Sequence, residues 1–232
     1  DLVVVLVAEV PAAEIFARLG HVPGVHEFAG QDERHVTLRF VGGSTAQIVV
    51  TPPLNAGAVL VQATGSDGHL RLLDARAAHE GCSLRGAALW RGSEFVPTPD
   101  EAALYGALGL AWIPPEMREG GQEIGAAATG SLPTLLETGD LRGFLHCHTS
   151  YSDGSNSVAE LATGVAAAGY EWIGITDHSQ SAAYAGGLSP DGLRRQAAEI
   201  ADVGAGMPGC RILHGVEADI LADGTLDYED DV

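Results

Sequence analysis

The chain contains no lysine. Its 12 basic residues are all arginine and face 31 acidic ones, for a formal net charge of -19 over 232 residues. No basic patch is visible, which argues against a protein that grips a phosphate backbone through its own cationic surface. The acidic balance favours solubility. It also suits a protein in which metal cations neutralise carboxylates and carry the contact with a phosphate substrate. Cysteine is scarce as well: Cys82, Cys147 and Cys210 are far apart and odd in number. They exclude a disulfide framework and point to a reducing cytoplasm. No apolar run reaches the length of a membrane span, and no basic-then-apolar leader opens the chain, so neither a membrane partner nor export is expected. Internal repeats and long low-complexity tracts are lacking too. What remains is an ordinary globular composition, 46% hydrophobic, long enough for one or two domains with cores.

Residues 1–8 (DLVVVLVA) form a continuous β-branched run that suits a buried strand, and they start without lead-in, as if cut from a longer chain. A short helix over 11–20 follows, then paired strands over 36–40 and 46–50 joined by Gly42-Gly43-Ser44. Residues 70–80 read as a helix, 84–90 as a strand, and 94–96 as its partner. Asp100 is a candidate N-cap for a helix over 101–108 that Gly109 stops. Residues 112–116 (WIPPE) make a rigid corner, and 120–143, rich in Ala, Gly and Thr, read as a linker with a helical turn or two. From Gly143 the pattern is strand, helix, strand, helix, strand, with helices over 157–168 and 192–203 and Pro190 where a first turn tolerates it. That alternation predicts an α/β arrangement with a parallel sheet or barrel.

The chemistry concentrates in 144–154 (FLHCHTSYSDG). On an extended strand, His146 and His148 point to one face and Cys147 to the other. Asp153 lies just beyond, where a loop can fold its carboxylate back. Two imidazoles and a carboxylate form a partial shell for zinc, manganese or iron. Two further apolar runs, 170–179 and 210–221, carry Asp177-His178 and Glu217. Three strand-like runs thus end in metal-type ligands, at the carboxyl ends where such folds gather their ligands. The predicted metal ligands are His146, His148, Asp153, His178 and Glu217. Asp177 is read as a carboxylate that orients a histidine. Asp219 and His214 are left out of the set, and Cys147 is assigned to the core.

The order His146-Cys147-His148-Thr149-Ser150-Tyr151-Ser152-Asp153-Gly154, then Thr176-Asp177-His178, then Gly215-Val216-Glu217-Ala218-Asp219, resembles the PHP domain, of polymerases and histidinol phosphatases. Upstream, Thr64-Gly65-Ser66, Leu108-Gly109-Leu110 and residues 113–119 (IPPEMRE) resemble the bacterial family X DNA polymerases that carry such a domain. The resemblance implies a late palm over 1–56, a thumb over 57–120, a linker over 121–142, and the first part of a PHP domain over 143–232. The implied fold is an α+β polymerase fragment followed by a partial β/α barrel. The remaining barrel ligands would come from a second half that this sequence lacks.

The same resemblance implies metal-dependent hydrolysis of phosphoesters. DNA would be the partner, at primer termini, gaps or 3′ ends, with 3′ to 5′ exonuclease action. Zinc or manganese would sit at the PHP site, and no catalytic group is implied beyond metal-bound water. It assigns Gly65 and Ser66 a weak nucleotide or DNA contact. A family palm holds magnesium or manganese on an Asp-x-Asp pair and a third Asp; here those positions read Asp1, Val3 and Gln47, and the sugar-contacting aromatic pair reads Gln62-Ala63. Val and Gln cannot replace anionic ligands of a hard dication. The implied palm is therefore weakened or lost, and binding of nucleotides stays open. Two other readings compete: a working polymerase with a structural PHP domain, and a DNA-binding scaffold or small-molecule phosphatase.

Overall fold

The β-branched opening forms strand β1, Leu2–Val7, in a computed structural model that describes residues 2–228. The candidate palm carboxylate Asp1 lies outside the described residues. Two units are distinguished, Asp1–Thr134 and Leu135–Val232.

In the first unit, α1 (Ala12–Leu19), β2 (Val25–Gln31), β3 (His35–Phe40) and β4 (Thr45–Thr51) follow β1. The sheet order is β1-β4-β3-β2, with β1 parallel to β4 and the other pairs antiparallel. Phe16 of α1 packs on Val36, Leu38, Ile48 and Val50, the inward alternation of β3 and β4. Strand β2 has no such alternation. It is an exposed edge strand with two register shifts, which is why its sequence gave no strand signal.

Helices α2 (Ala56–Thr64), α3 (Asp67–His79), α4 (Glu101–Ala107) and α5 (Glu123–Thr129) surround a second core of Val61, Leu73, Leu89, Leu104, Tyr105 and Ile113. Ser66 caps α3 by accepting the His69 N–H at 3.1 Å, and Asp100 caps α4 by accepting that of Ala103 at 2.7 Å. The expectation of one strand over 84–90 is corrected. Gly86 and Ala87 take φ of 58° and 55°, which turns the chain into a hairpin of β5 (Cys82–Leu84) and β6 (Leu89–Arg91), with β7 (Glu94–Val96) beyond. Polar groups cross this core in pairs. Arg118, wholly buried, donates to both Glu101 oxygens at 2.8 and 2.9 Å and to the Ile113 carbonyl, and also meets Thr64. His69 lies between Glu123 and Tyr105, 2.9 Å from each.

The second unit is β8 (Gly143–Cys147), α6 (Val158–Ala167), β9 (Trp172–Ile175), α7 (Pro190–Ala205) and β10 (Arg211–His214). Its sheet is parallel in the order β10-β9-β8, and no closed barrel forms among the described residues. Ser157 and Glu160 form a capping box on α6, and Ser189 with Pro190 opens α7. Val158, Ile175 and Ile200 pack the helices on the sheet. All three strands run the same way, so their carboxyl ends, with the residues that follow them, meet at one rim.

Candidate metal centre

His146 reaches this rim by a backbone irregularity rather than by simple alternation. Its φ is +63°, and the pairing of β8 with β9 shifts register between Phe144 and Cys147. A non-glycine residue in the left-handed region is uncommon and gathers at functional sites. The bulge turns the His146 ring to stack on His148, with centroids 5.3 Å apart. Cys147 packs against Val165, Ile173 and Cys210. His178 follows β9, its ring 4.4 Å from that of His148. Glu217 follows β10 and bridges to His178 through the backbone, donating its N–H to the Asp177 carbonyl at 3.1 Å.

One carboxylate oxygen organises the centre. Glu217 Oε2 lies 3.1 Å from His146 Nε2, 3.0 Å from His148 Nε2 and 3.3 Å from His178 Nδ1. Asp153 completes the ring, with Oδ1 at 2.8 Å from His148 Nδ1 and Oδ2 at 3.5 Å from His178 Nε2. Two overlapping groups can each hold an ion: His146, His148 and Glu217, and His148, Asp153 and His178. The approaches around Glu217 are close without being directed. Both Glu217 Oε2 and His148 Nε2 are buried atoms with no hydrogen-bond partner. Buried polar atoms are almost always satisfied, so lone pairs converging on a common point are better explained by a cation between them. Imidazole nitrogen with carboxylate oxygen suits zinc, manganese or iron, so the residues present fit a metal. The nearby His146 nitrogen first, then the charges of the three imidazoles, hold Glu217 below the usual carboxylate range against the opposing effect of burial. The hydrogen bond with His148 first, then the imidazole charges, does the same for Asp153.

Asp177 accepts from no histidine directly among the described residues. Fully buried, it accepts the Thr149 N–H and hydroxyl, both at 2.7 Å, and bonds from Ser152 and Gln196. Its carboxylate fixes the turn between His148 and Asp153. Gly154 closes that turn, where a Cβ would lie 2.3 Å from the His148 carbonyl oxygen. Gln196 in turn reaches His214, 3.2 Å away. Asp219 belongs to neither ion-holding group. In the first unit, Ser66 is occupied as a helix cap, and a Cβ on Gly65 would lie 3.0 Å from the Val61 carbonyl oxygen. Sequence reasoning missed the buried Arg118, His69 and Glu123. Their side-chain partners lie 17 to 54 residues away in sequence.

The first unit also carries a cleft of about 1520 Å³. Val3 and Gln47 both line it, and they are direct register partners across β1 and β4. Two uncharged side chains therefore stand side by side on this wall of the cleft.

Residues 59–119 match the family model described as DNA polymerase beta thumb, and residues 145–230 match that of the PHP domain. A PHP domain implies metal dependence, in keeping with the two ligand groups at the rim. The whole chain is 35% identical, over 237 aligned residues, to the Bacillus subtilis (strain 168) protein named DNA polymerase/3'-5' exonuclease PolX. The chain spans 41% of that relative's length.

Proposed function

We propose that the chain is a family X DNA polymerase of the bacterial kind that carries a PHP domain, and that its second unit hydrolyses phosphodiesters at DNA 3′ ends with the aid of zinc or manganese. The observation that carries this is the convergence of three imidazole nitrogens on Glu217 Oε2 with no directed hydrogen bond among them. A divalent cation held there supplies a lowered pKa for water and charge neutralisation at the phosphoryl oxygens. The side chains supply the rest. His146, His148 and His178 present nitrogen lone pairs, Glu217 touches all three, and His148 belongs to both ligand groups. Asp177 holds the turn that places Asp153. The division into late palm, thumb, linker and PHP segment at residues 56, 120 and 142 belongs to this reading. So does a cytoplasmic setting, with which the three free cysteines agree. No described helix is long and apolar enough to cross a membrane.

The test is cleavage of a 3′-labelled oligonucleotide with manganese, by the protein and by its His146→Ala variant. Loss of cleavage in the variant is expected; equal manganese-dependent cleavage by both overturns the assignment. The same reading makes the first unit a weak or silent polymerase, because Val3 and Gln47 offer no anionic ligand. Efficient primer extension by the pure protein overturns that part.

A further inference from the structure

We propose that Tyr184 is a positioning residue on which the base of the terminal nucleotide stacks beside the metal centre, an inference that rests on the phosphodiesterase reading above. Tyr184 is 86% exposed, the highest value of any large apolar side chain among the described residues. Its ring centroid lies 6.0 Å from that of His178, with the planes at 62°. An aromatic face is thus held open to solvent within one ring's reach of a predicted metal ligand.

The exposure is built, not a loose end. Tyr184 sits on a single 3-10 turn, Ala183–Ala185, whose neighbours Ala182, Ala185 and Leu188 are 1%, 6% and 4% exposed. The backbone is tied at both ends: Ala182 N–H donates to the Ser179 carbonyl at 3.0 Å, and Leu188 N–H to that of His178 at 2.8 Å. Gly187 lets the two limbs of the loop touch, since a Cβ there would lie 1.8 Å from the Ser179 carbonyl oxygen. Asp227 accepts the Ser181 N–H at 2.8 Å and pins the loop from the other side. Every limb of this loop is anchored, yet it lifts one aromatic ring into water.

A tyrosine ring offers large apolar area for little conformational entropy, because only two side-chain torsions are frozen. Proteins that hold single-stranded nucleic acid without sequence preference use such rings, since every base has a π-face. The remaining rim fits the same ligand. Ile220, 75% exposed, stands on the neighbouring hairpin, which bonds to the same loop through Asp219 N–H and Ser179 Oγ at 3.1 Å. A nucleotide is a ligand with an anionic end for the cations and a flat apolar end for the ring.

Two measurements test this. In the first, the manganese-loaded protein is titrated into an oligonucleotide bearing 2-aminopurine at its 3′ end, joined through a non-hydrolysable phosphonate linkage. Quenching that Tyr184→Phe keeps and Tyr184→Ala loses is expected; quenching unchanged in Tyr184→Ala overturns the proposal. In the second, manganese-supported kcat/KM is compared on a normal 3′ end and on one that lacks the terminal base. Tyr184→Ala should lose about 5- to 150-fold on the normal end and nothing on the abasic one. Equal losses on both ends overturn the stacking role, because a ring that merely supports the loop would not distinguish them. Failure of the wild-type protein to cleave either end overturns the hydrolase reading, while quenching on the non-hydrolysable end still reports on stacking alone.

Discussion

Replacing Asp177 by asparagine isolates what a buried carboxylate does beside the metal centre without binding metal. Its two oxygens are fully buried and accept from four donors: the Thr149 N–H and hydroxyl, the Ser152 hydroxyl and the Gln196 amide. Asparagine keeps one acceptor oxygen and turns the other into a donor. Whichever way the amide is turned, two of the four donors then face an N–H. Hydrogen bonds to a charged partner contribute about 1.5–3 kcal/mol each, so losing two costs about 3–6 kcal/mol. The Thr149 and Ser152 hydroxyls can rotate away, which favours the lower end. A domain of this size is typically stable by about 5–15 kcal/mol, and each kcal/mol moves its melting temperature by roughly 4–8 °C. The melting transition of the second unit should therefore fall by more than about 10 °C. The same turn carries Asp153, so manganese affinity should fall about 10- to 100-fold, as for other supports of metal ligands. Asp153→Asn is the control. Its side chain is half exposed, so it should lose metal affinity with little change in melting. Calorimetric melting and manganese titration read both effects. An Asp177→Asn protein that melts within 2 °C (roughly the error of a scan) and binds manganese like wild type refutes the reasoning.

Other perturbations follow from the same contacts. Arg118→Met should destabilise the first unit by about 3–5 kcal/mol, the cost of removing one member of a buried ion pair; urea unfolding with an unchanged slope and a lower midpoint measures it. Glu123 has its carboxyl pushed up by burial, but the His69 bond and the Gly120 and Gly121 N–H groups outweigh this and leave it below its ordinary 4.5. Its stabilising contribution is thus complete above that value and lost as pH falls through the lower folded value. Glu123→Gln should flatten the acid limb of the stability profile, and an unchanged limb counts against the assignment. Gly154→Ala places a methyl group into the His148 carbonyl and should weaken manganese binding about tenfold or more by titration. DNA binding without divalent cations should be weak and nearly insensitive to salt, with a slope no steeper than about -2 for log K against log[salt]. Mobility shifts across a salt series, with and without manganese, decide it.

Most of the second unit was legible because its signals are local. Ser157 with Glu160, and Ser189 with Pro190, announce helices by capping chemistry alone. The five ligand positions meet because each follows, or ends, a strand of one parallel sheet. What strand periodicity did not convey is how His146 gets there. Alternation alone puts His146 and His148 on one face, yet the structure brings the rings together through a left-handed backbone and a register shift. The partners of Asp177 were hidden for a related reason. Its place beside His178 in sequence suggests a histidine partner, but its donors come from 19 to 28 residues away. The hairpin at Gly86 and the exposed strand β2 were missed because a short apolar run hides a turn and an edge strand lacks alternation.

The distribution of arginine ties the two units to one physical account. Among the described residues, Arg39, Arg76, Arg118, Arg142 and Arg194 are engaged in ion pairs with carboxylates. Arg34 and Arg85 line the cleft of the first unit and pair with none, although Arg85 lies over the Trp90 ring. The cleft is also lined by Glu9, Asp32 and Glu33, so its two arginines and Trp90 stand among three carboxylates and give it no cationic excess. At the rim of the second unit carboxylates and imidazoles converge with no arginine among them. A chain with net charge -19 approaches a polyanion only where its own charge is locally reversed. At the rim bound metal would reverse it, so on the proposed reading metal occupancy governs encounter with DNA as well as hydrolysis.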